Sequence, residues 1–384
     1  YCAPITLENL KTYHYAVKFK VYLYSEPDLL HCRSVTMRYI IELWGGATSM
    51  EDLHTELKSM PETFLTKNHP HFFQTFKYLP LKGKVKLKNP DVTFNLIEYW
   101  GMEPNNLPSN AKGQWTLQIA HGQRDLITEL SLKTRKFIGN TSMNSQLSLI
   151  MANQAKVQPG DLVFDPFVGS GSLLVAAAYY GAYVFGSDID YLMLHGKTKQ
   201  SRKQTRVMDE SIFENMKQYK CQSRYVDVVV ADAALPPWSS SLVLDAIITD
   251  MPYGIRESAE RIGSTKIQDG KHVVPENEIH IPSKIEYDFS KMLEDLFKFS
   301  LTHLKVGGRL VTWLPVLLCD YDPNELPMHH CLTLVSNCEQ KLSTFTSRRL
   351  LTYEKIKEPE VSWIFLNTNS VRCSNHLQNK SLLL

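Results

Sequence analysis

From about residue 140 the chain alternates short apolar, β-branched runs with segments of helical length. DLVFD (161–165), AYVFGSD (182–188), VDVVVAD (226–232), LDAIITD (244–250) and GRLVTWLP (308–315) are predicted strands. Between them SLLVAAAYY (172–180), the basic YLMLHGKTKQSRKQT (191–205) and YDFSKMLEDLFKFSLTHL (287–304) are predicted helices, and CLTLVSNCEQ and RRLLTYEKI are available as a closing pair of strands. Strands that are apolar almost throughout, interleaved with helices, imply an α/β domain: a Rossmann-like, doubly wound, mostly parallel sheet covered on both faces.

Upstream the pattern is different. Strand-like YHYAVKFKVYLY (13–24) lies near the helix candidate SMEDLHTELKSM (49–60), and LKGKVKLKN (81–89) alternates strictly, so that Lys82, Lys84, Lys86 and Lys88 share one face. Such a face is either solvated, guarding a sheet edge, or a phosphate contact. The Pro/Asn/Gly-rich EPNNLPSNAKGQ (103–114) marks a domain boundary, and WTLQIAHGQRDLITELSL after it is expected to form a hairpin turning on His121 and Gly122. The expected organisation is a smaller α+β domain over 1–111, a connecting hairpin over 112–139 and the α/β domain over 140–384.

Composition narrows this picture only a little. With 384 residues, 43% hydrophobic and 21% charged, the chain can fill two cores. The longest nearly apolar stretch, LLVAAAYYGAYVFG, is too short for a membrane span of about 20 residues. YCAPITLENL reads as an incomplete start rather than a signal peptide, so an intracellular, cytoplasmic protein is expected. Seven cysteines without a C-x-x-C pair argue for reduced thiols and against a structural zinc site. Residues 1–150 hold 17 basic and 13 acidic side chains against 25 and 27 in the rest, a mild basic bias compatible with nucleic-acid binding.

The chemistry-bearing residues lie where the predicted strands end. DPFVGSGS (165–172) leads from the first strand into a helix, directing backbone N–H groups at a ligand that Gly169 and Gly171 let approach closely. The third glycine of the dinucleotide fingerprint is missing, and Asp165 would repel a pyrophosphate but attract a cation. S-adenosyl-L-methionine, with its ammonium and sulfonium, is the better match. Asp188, with Asp190 as an alternative, can accept ribose hydroxyls, and Asp232 can accept an adenine amino group, although any one such acid is commonly a helix cap. Asp165, Asp188, Asp232 and Asp250 all fall at strand carboxyl ends, where an open α/β sheet places its ligand.

After the fourth strand comes Asp250-Met251-Pro252-Tyr253. A planar exocyclic amine is a poor nucleophile because its lone pair is delocalised. The Asp250 carboxylate and the carbonyl of residue 251 can hold its two hydrogens and turn the lone pair toward a methyl group. Tyr253 can stack on the base and Pro252 fixes the turn. No metal is required.

D-P-F-x-G-x-G, G-x-D-I-D and D-x-P-Y-G, in this order, resemble the motifs of S-adenosylmethionine-dependent amino-methyltransferases. The longer strings FIGNTSMNSQLSLIMANQAKVQPGDLVFDPFVGSGSLL, SDIDY, DAIITDMPYGIRES, GGRLVTWLPV and LVSNCEQKLSTFTSRRLLTYEK closely resemble the catalytic subunit of the eukaryotic tRNA guanine-10 N2-methyltransferase family, over most of 112–356. LWGG, FKYLPLKGKVKLKNP and EYWGMEPNN resemble the end of that family's RNA-binding THUMP region, here shortened.

The resemblance implies a class I methyltransferase domain behind a THUMP-like RNA-binding domain. It implies methyl transfer to the N2 amine of a guanosine in the D-arm region of tRNA, and a small zinc-binding activator protein as partner. It implies a cofactor pocket of Ser142, Asp165, Phe167, Gly169, Gly171, Asp188, Ile189, Asp232 and Ala233, with Thr141 and Ser142 either reaching the methionine carboxylate or capping a helix. The catalytic set would be Asp250, Pro252 and Tyr253; the family usually has proline where Met251 stands, and a slower enzyme is expected from its loss of stiffness.

Two basic elements could hold RNA or simply be solvated: His195, Lys197, Lys199, Arg202, Lys203 and Arg206, and the pair Arg348-Arg349. GIRESAERIGSTKIQDGKHVV (254–274) has the polar, glycine-broken character of a lid. The same four-residue turn also serves methylation of DNA bases and of protein glutamine, and a non-catalytic RNA-binding scaffold could keep the fold.

Overall fold

The computed structural model describes residues 33, 35–36, 39–47, 93–99, 112–195, 211–254, 257–264 and 282–359, with the backbone alone for 39–47, 93–99 and 112–121. The chain divides into two compact units, Tyr1–Asp125 and Leu126–Leu384. The expected strand 13–24, helix 49–60, lysine face 81–89 and the far half of the basic helix lie outside the described residues.

In the first unit β1 (Tyr39–Ala47), β2 (Thr93–Tyr99) and β3 (Lys112–His121) form an antiparallel sheet with β3 in the middle. The expected hairpin over 112–139 is therefore wrong. Trp115, Leu117 and Ile119 alternate with polar neighbours as one strand, but beyond Gly122 the apolar spacing becomes helical, and α1 (Asp125–Glu129) buries Leu126 while Leu130 seals its end.

In the second unit α2 (Ser145–Gln154) precedes β4 (Leu162–Asp165), α3 (Ser172–Tyr179), β5 (Tyr183–Asp188), α4 (Tyr191–Leu194), α5 (Ile212–Gln218), β6 (Tyr225–Val230) and β7 (Leu244–Thr249). A short pair, β8 (Glu260–Ile262) and β9 (Lys284–Glu286), is followed by α6 (Phe289–His303), β10 (Leu304–Leu317), β11 (Leu332–Lys341) and β12 (Thr346–Lys355). The seven-stranded order is β11-β12-β10-β7-β4-β5-β6: five parallel strands, then β12 antiparallel to them, then β11 antiparallel to β12. The expected doubly wound sheet is present. From β4 the chain builds outward through β5 and β6, then returns to lay β7 on the other side of β4, which puts a topological switch point between β4 and β7.

Burial explains the elements. β4 and β7 are buried on both faces, whereas the edge strand β6 exposes Val226 and Val230. α3 is buried along Ser172–Ala178, as its apolar sequence demands, and α6 is two-faced, packing Phe289, Met292, Leu293, Leu296 and Phe297 into the core. The end of α6 is closed by Lys355, whose buried Nζ donates to the carbonyls of Leu301 at 2.8 Å and Leu304 at 2.7 Å, a cation on the negative end of a helix.

Candidate active site at the carboxyl edge of the sheet

β4 ends on Asp165, which is 1% exposed; its Oδ1 accepts from Thr249 Oγ1 at 2.7 Å and from Phe167 N at 3.0 Å. Burial pushes this carboxyl up to about 7, with those two hydrogen bonds pulling it back and the charges of Asp188 and Asp250 adding to the rise. The loop then doubles back over β5, where Val168 N donates to Ser187 O at 3.0 Å. Gly186 permits this, since a Cβ there would lie 2.3 Å from Val168 and 2.4 Å from the Asp165 carbonyl. Gly169 and Gly171 have φ of 51° and 77°, and Gly171 caps α3 with no side chain of its own.

Asp188 faces the same loop. Its Oδ2 accepts from Gly169 N at 2.8 Å and its Oδ1 from Asp190 N at 2.9 Å; burial lifts its carboxyl to about 6. Asp190 is the cap of α4, accepting from Met193 N at 3.0 Å, so Asp188 rather than Asp190 addresses the glycine loop. Asp232, after β6, is equally occupied by backbone, with Ala234 N at 2.9 Å and Ile262 N at 2.7 Å. None of Asp165, Asp188 and Asp232 makes an ion pair among the described residues, so a cation reaching this edge meets carboxyl groups that no cation among those residues compensates, and each keeps acceptor capacity beyond its hydrogen bonds. Phe167, Asp232 and Ala233 line one small cavity with Phe164, Trp238 and Phe299, three rings that pack against or near one another. Ile189 is half-buried between Asp188 and Asp190.

Ser142 sits in the turn before α2, where its Oγ accepts from Gly139 N at 2.8 Å and meets Ser170 Oγ, tying that turn to the glycine loop. The capping explanation for Thr141 and Ser142 is corrected: Asn144 caps α2, accepting from Leu147 N at 2.9 Å, and Thr141 Oγ1 donates to Glu257.

Across the switch point, β7 delivers Asp250 to the same edge. Tyr253 donates its hydroxyl to Asp250 Oδ1, and Arg348 Nη1 stands 3.3 Å from Oδ2. Burial holds Asp250 above the usual carboxylate range, with the Tyr253 hydroxyl and the Arg348 guanidinium opposing and Glu257 adding to the rise. Tyr253 is pushed well above its ordinary value by burial and the neighbouring charge of Asp250, so its hydroxyl stays protonated. Pro252 is half-buried, and the Met251 side chain, at 2% exposed, belongs to the same core cluster as Phe289 and Leu293. The expected lid is in part ordered structure: β8 pairs with β9, and Ile262 N fastens it to Asp232.

Comparison with known proteins bears on what this edge serves. Residues 133–265 match the family model described as RMKL-like, methyltransferase domain, and residues 64–124 match that of the Tmrp11 THUMP N-terminal domain. The chain is 47% identical to the tRNA (guanine(10)-N(2))-methyltransferase TRMT11 of Bos taurus, over 85% of this chain and 76% of that protein. It is 46% identical to the Homo sapiens protein of the same name, over 85% and 77%, and 33% identical to the tRNA (guanine(10)-N(2))-methyltransferase of Saccharomyces cerevisiae, over 84% and 79%. The chain belongs to the tRNA (guanine(10)-N(2))-methyltransferase family. In this member of the family the methyltransferase match spans β4 to β8, including every expected acid from Asp165 to Asp250, while the THUMP match takes in β2 and β3.

The residues that sequence reasoning missed in this family member are Thr249, Ser170, Glu257 and Arg348, which contact the expected ones through side chains. Thr249 could have been suspected from its place before Asp250 on a strand beside β4. Nothing in the spacing points to Arg348. The pair Arg348-Arg349, left open between holding RNA and simple solvation, is largely buried and engaged within the fold, Arg348 over Trp313 and Arg349 over Tyr321 and against Glu339.

Proposed function

We propose that the chain transfers a methyl group from S-adenosyl-L-methionine to the N2 amine of the guanosine at position 10 of tRNA, as the catalytic subunit of a complex with a small zinc-binding activator. The observation that carries this reading is the convergence of four carboxylates and the Asp250–Tyr253 turn on one edge of the sheet, in a chain of this family. The choice of a tRNA guanosine over a DNA base or protein glutamine rests on family membership.

Asp165 and Asp188 would face the cationic amino-acid part and the ribose hydroxyls, Gly169 and Gly171 would allow the close approach, and Phe167, Asp232 and Ala233 would bound the adenine slot. Asp188 suits hydroxyls because its pKa, though raised to about 6, leaves it ionised at neutral pH. When bound, the cofactor supplies a methyl group whose carbon–sulfur bond breaks as the amine nitrogen bonds to carbon. Asp250 Oδ1 accepts a hydrogen of the amine and orients its lone pair, and it takes the surplus proton from the methylated nitrogen before passing it to water. Tyr253 releases Oδ1 and offers its ring to the base, which leaves any stack to enter. The THUMP-like region, over 1–111 with β3 added to it, would hold the tRNA. Among the described residues no helix is long and apolar enough to cross a membrane, and we place the work of the enzyme in the cytoplasm.

The test uses labelled cofactor and tRNA lacking the modification, with and without the activator. Label in tRNA that depends on the activator is expected; label in DNA or protein but not tRNA overturns the reading, and absence of cofactor binding in calorimetry favours a scaffold.

A further inference from the structure

Arg348 is built into the site more firmly than a surface arginine would be. Its guanidinium carbon lies 4.1 Å from the Trp313 ring centroid, and its Nε donates to Gln340 Oε1 at 2.8 Å. Gln340 is its register partner on β11, and Trp313 on β10 is 2% exposed with its own Nε1 held at 3.1 Å from Met151 Sδ. A planar fork stacked on an indole and hydrogen-bonded through Nε has its plane and its remaining donors fixed, which a lysine cannot reproduce. Those donors meet Asp250 Oδ2 and also reach the Tyr253 hydroxyl.

The two oxygens of Asp250 thus have unlike partners. Oδ1 is met by Tyr253, three residues along the same turn, and Oδ2 by Arg348, held by groups on β10 and β11. We propose that Arg348 is a positioning residue of the methyl-transfer site, clamping Oδ2 of Asp250 so that Oδ1 alone exchanges the Tyr253 hydroxyl for a hydrogen of the target amine. The proposal rests on the methyltransferase reading above.

Charge strengthens the geometry. The titratable groups that face Asp250 are Tyr253 and Glu257 from its own segment, Asp165 from β4 and Arg348 from β12; among the described residues Arg348 is the cation of the set. Burial and Glu257 raise the carboxyl, and Arg348 lowers it. Without the guanidinium the carboxyl moves further up, so the pH below which Oδ1 is lost as a free acceptor rises.

The experiment compares wild type, Arg348→Met and Arg348→Lys as full chains with the activator, measuring kcat/KM for tRNA from pH 6 to 9.5 at saturating cofactor. Loss of one charged hydrogen bond at the reacting group predicts that Arg348→Met falls about 10- to 100-fold at pH 7. The deficit narrows toward pH 9 because the acid limb has moved up. Arg348→Lys keeps the position of the limb and has a lower plateau, while cofactor affinity by calorimetry stays within about twofold of wild type. Parallel profiles with an unmoved limb, or unchanged activity, overturn the proposal in favour of packing. Should Arg348→Met fail to fold, Gln340→Leu carries the test, with a smaller loss and the same direction of shift expected, and an unmoved profile overturning it. A wild type that leaves tRNA unlabelled refutes the methyltransferase reading instead, so the two failures are told apart.

Discussion

The two flanks of the switch point are held together by different means. On the β4–β5–β6 side, Asp165, Asp188 and Asp232 accept backbone N–H groups from residues 167, 169, 190, 234 and 262, a local turn aims each carboxylate, and the one side-chain donor among these bonds is Thr249, which reaches Asp165 from β7. On the β7 side, Asp250 is met by side chains, one of them 98 residues away. Backbone amides cannot leave, so the first flank is a preformed cradle. A hydroxyl can leave, so the second is a site that exchanges partners. The first arrangement suits binding a ligand that comes and goes unchanged in shape, and the second suits a reaction in which a carboxylate must trade one donor for another.

If that division holds, damage on the two flanks separates binding from turnover. The largest effect is expected from Asp250→Ala, which should lower turnover about 10³-fold with cofactor affinity nearly unchanged, read by labelled-methyl transfer and calorimetry on one preparation. Equal losses in both would erase the distinction. Next, Asp165→Asn should cost about 10- to 100-fold in cofactor affinity, since an ionic hydrogen bond to the cationic part is lost.

Thr249→Val is expected to be milder and to depend on pH. Removing the donor to Oδ1 lifts the Asp165 carboxyl further above about 7, so cofactor affinity should fall roughly tenfold at pH 7 and recover by pH 9. A loss that is flat with pH would mean that Thr249 only packs.

The raised acids also predict how stability tracks pH. Between the ordinary carboxylate value of 3.8 and about 7, the folded state holds a proton on Asp165 that the unfolded chain has lost, so stability falls as pH rises through that window. Asp188 acts likewise up to about 6. A cationic ligand removes this penalty, so the rise in Tm on adding S-adenosylmethionine should be larger at pH 8 than at pH 5.5. An equal rise at both would show that these carboxylates do not meet the cationic part.

The smallest effect on activity belongs to Met251→Ala. Its side chain is buried in the core, so the expected loss is about 2–5 kcal/mol of stability in thermal melts, with turnover at moderate temperature within a few-fold of wild type. Met251 thus has a packing role that reading the turn alone did not supply.

The contrast between the flanks also explains what could be read from the sequence. Asp165, Asp188, Asp232 and Asp250 were legible because each ends or follows an apolar run, and the chain direction of a parallel sheet puts all such ends on one edge. Gly169 and Gly171 were legible as positions of close backbone approach, and the structure adds that both have positive φ. Arg348 was not, because its meeting with Asp250 depends on β12 folding back antiparallel on β10, with Arg348 opposite Pro315. In the first unit, β1 is interrupted by Gly45 and Gly46 with a register shift at Leu43/Gly45, so its alternation breaks where a strand would be recognised. The hairpin expected over 112–139, turning on His121 and Gly122, failed because a glycine after an alternating run starts a helix as readily as a turn.

The most direct measurement is nucleoside analysis of tRNA after transfer of a labelled methyl group, run with wild type and Asp250→Ala alongside calorimetry of cofactor binding. The account predicts label in N2-methylguanosine at position 10 with wild type, almost none with Asp250→Ala, and matching cofactor affinities for the two. Label in another nucleoside, or a transfer that survives loss of the Asp250 carboxylate, would contradict it.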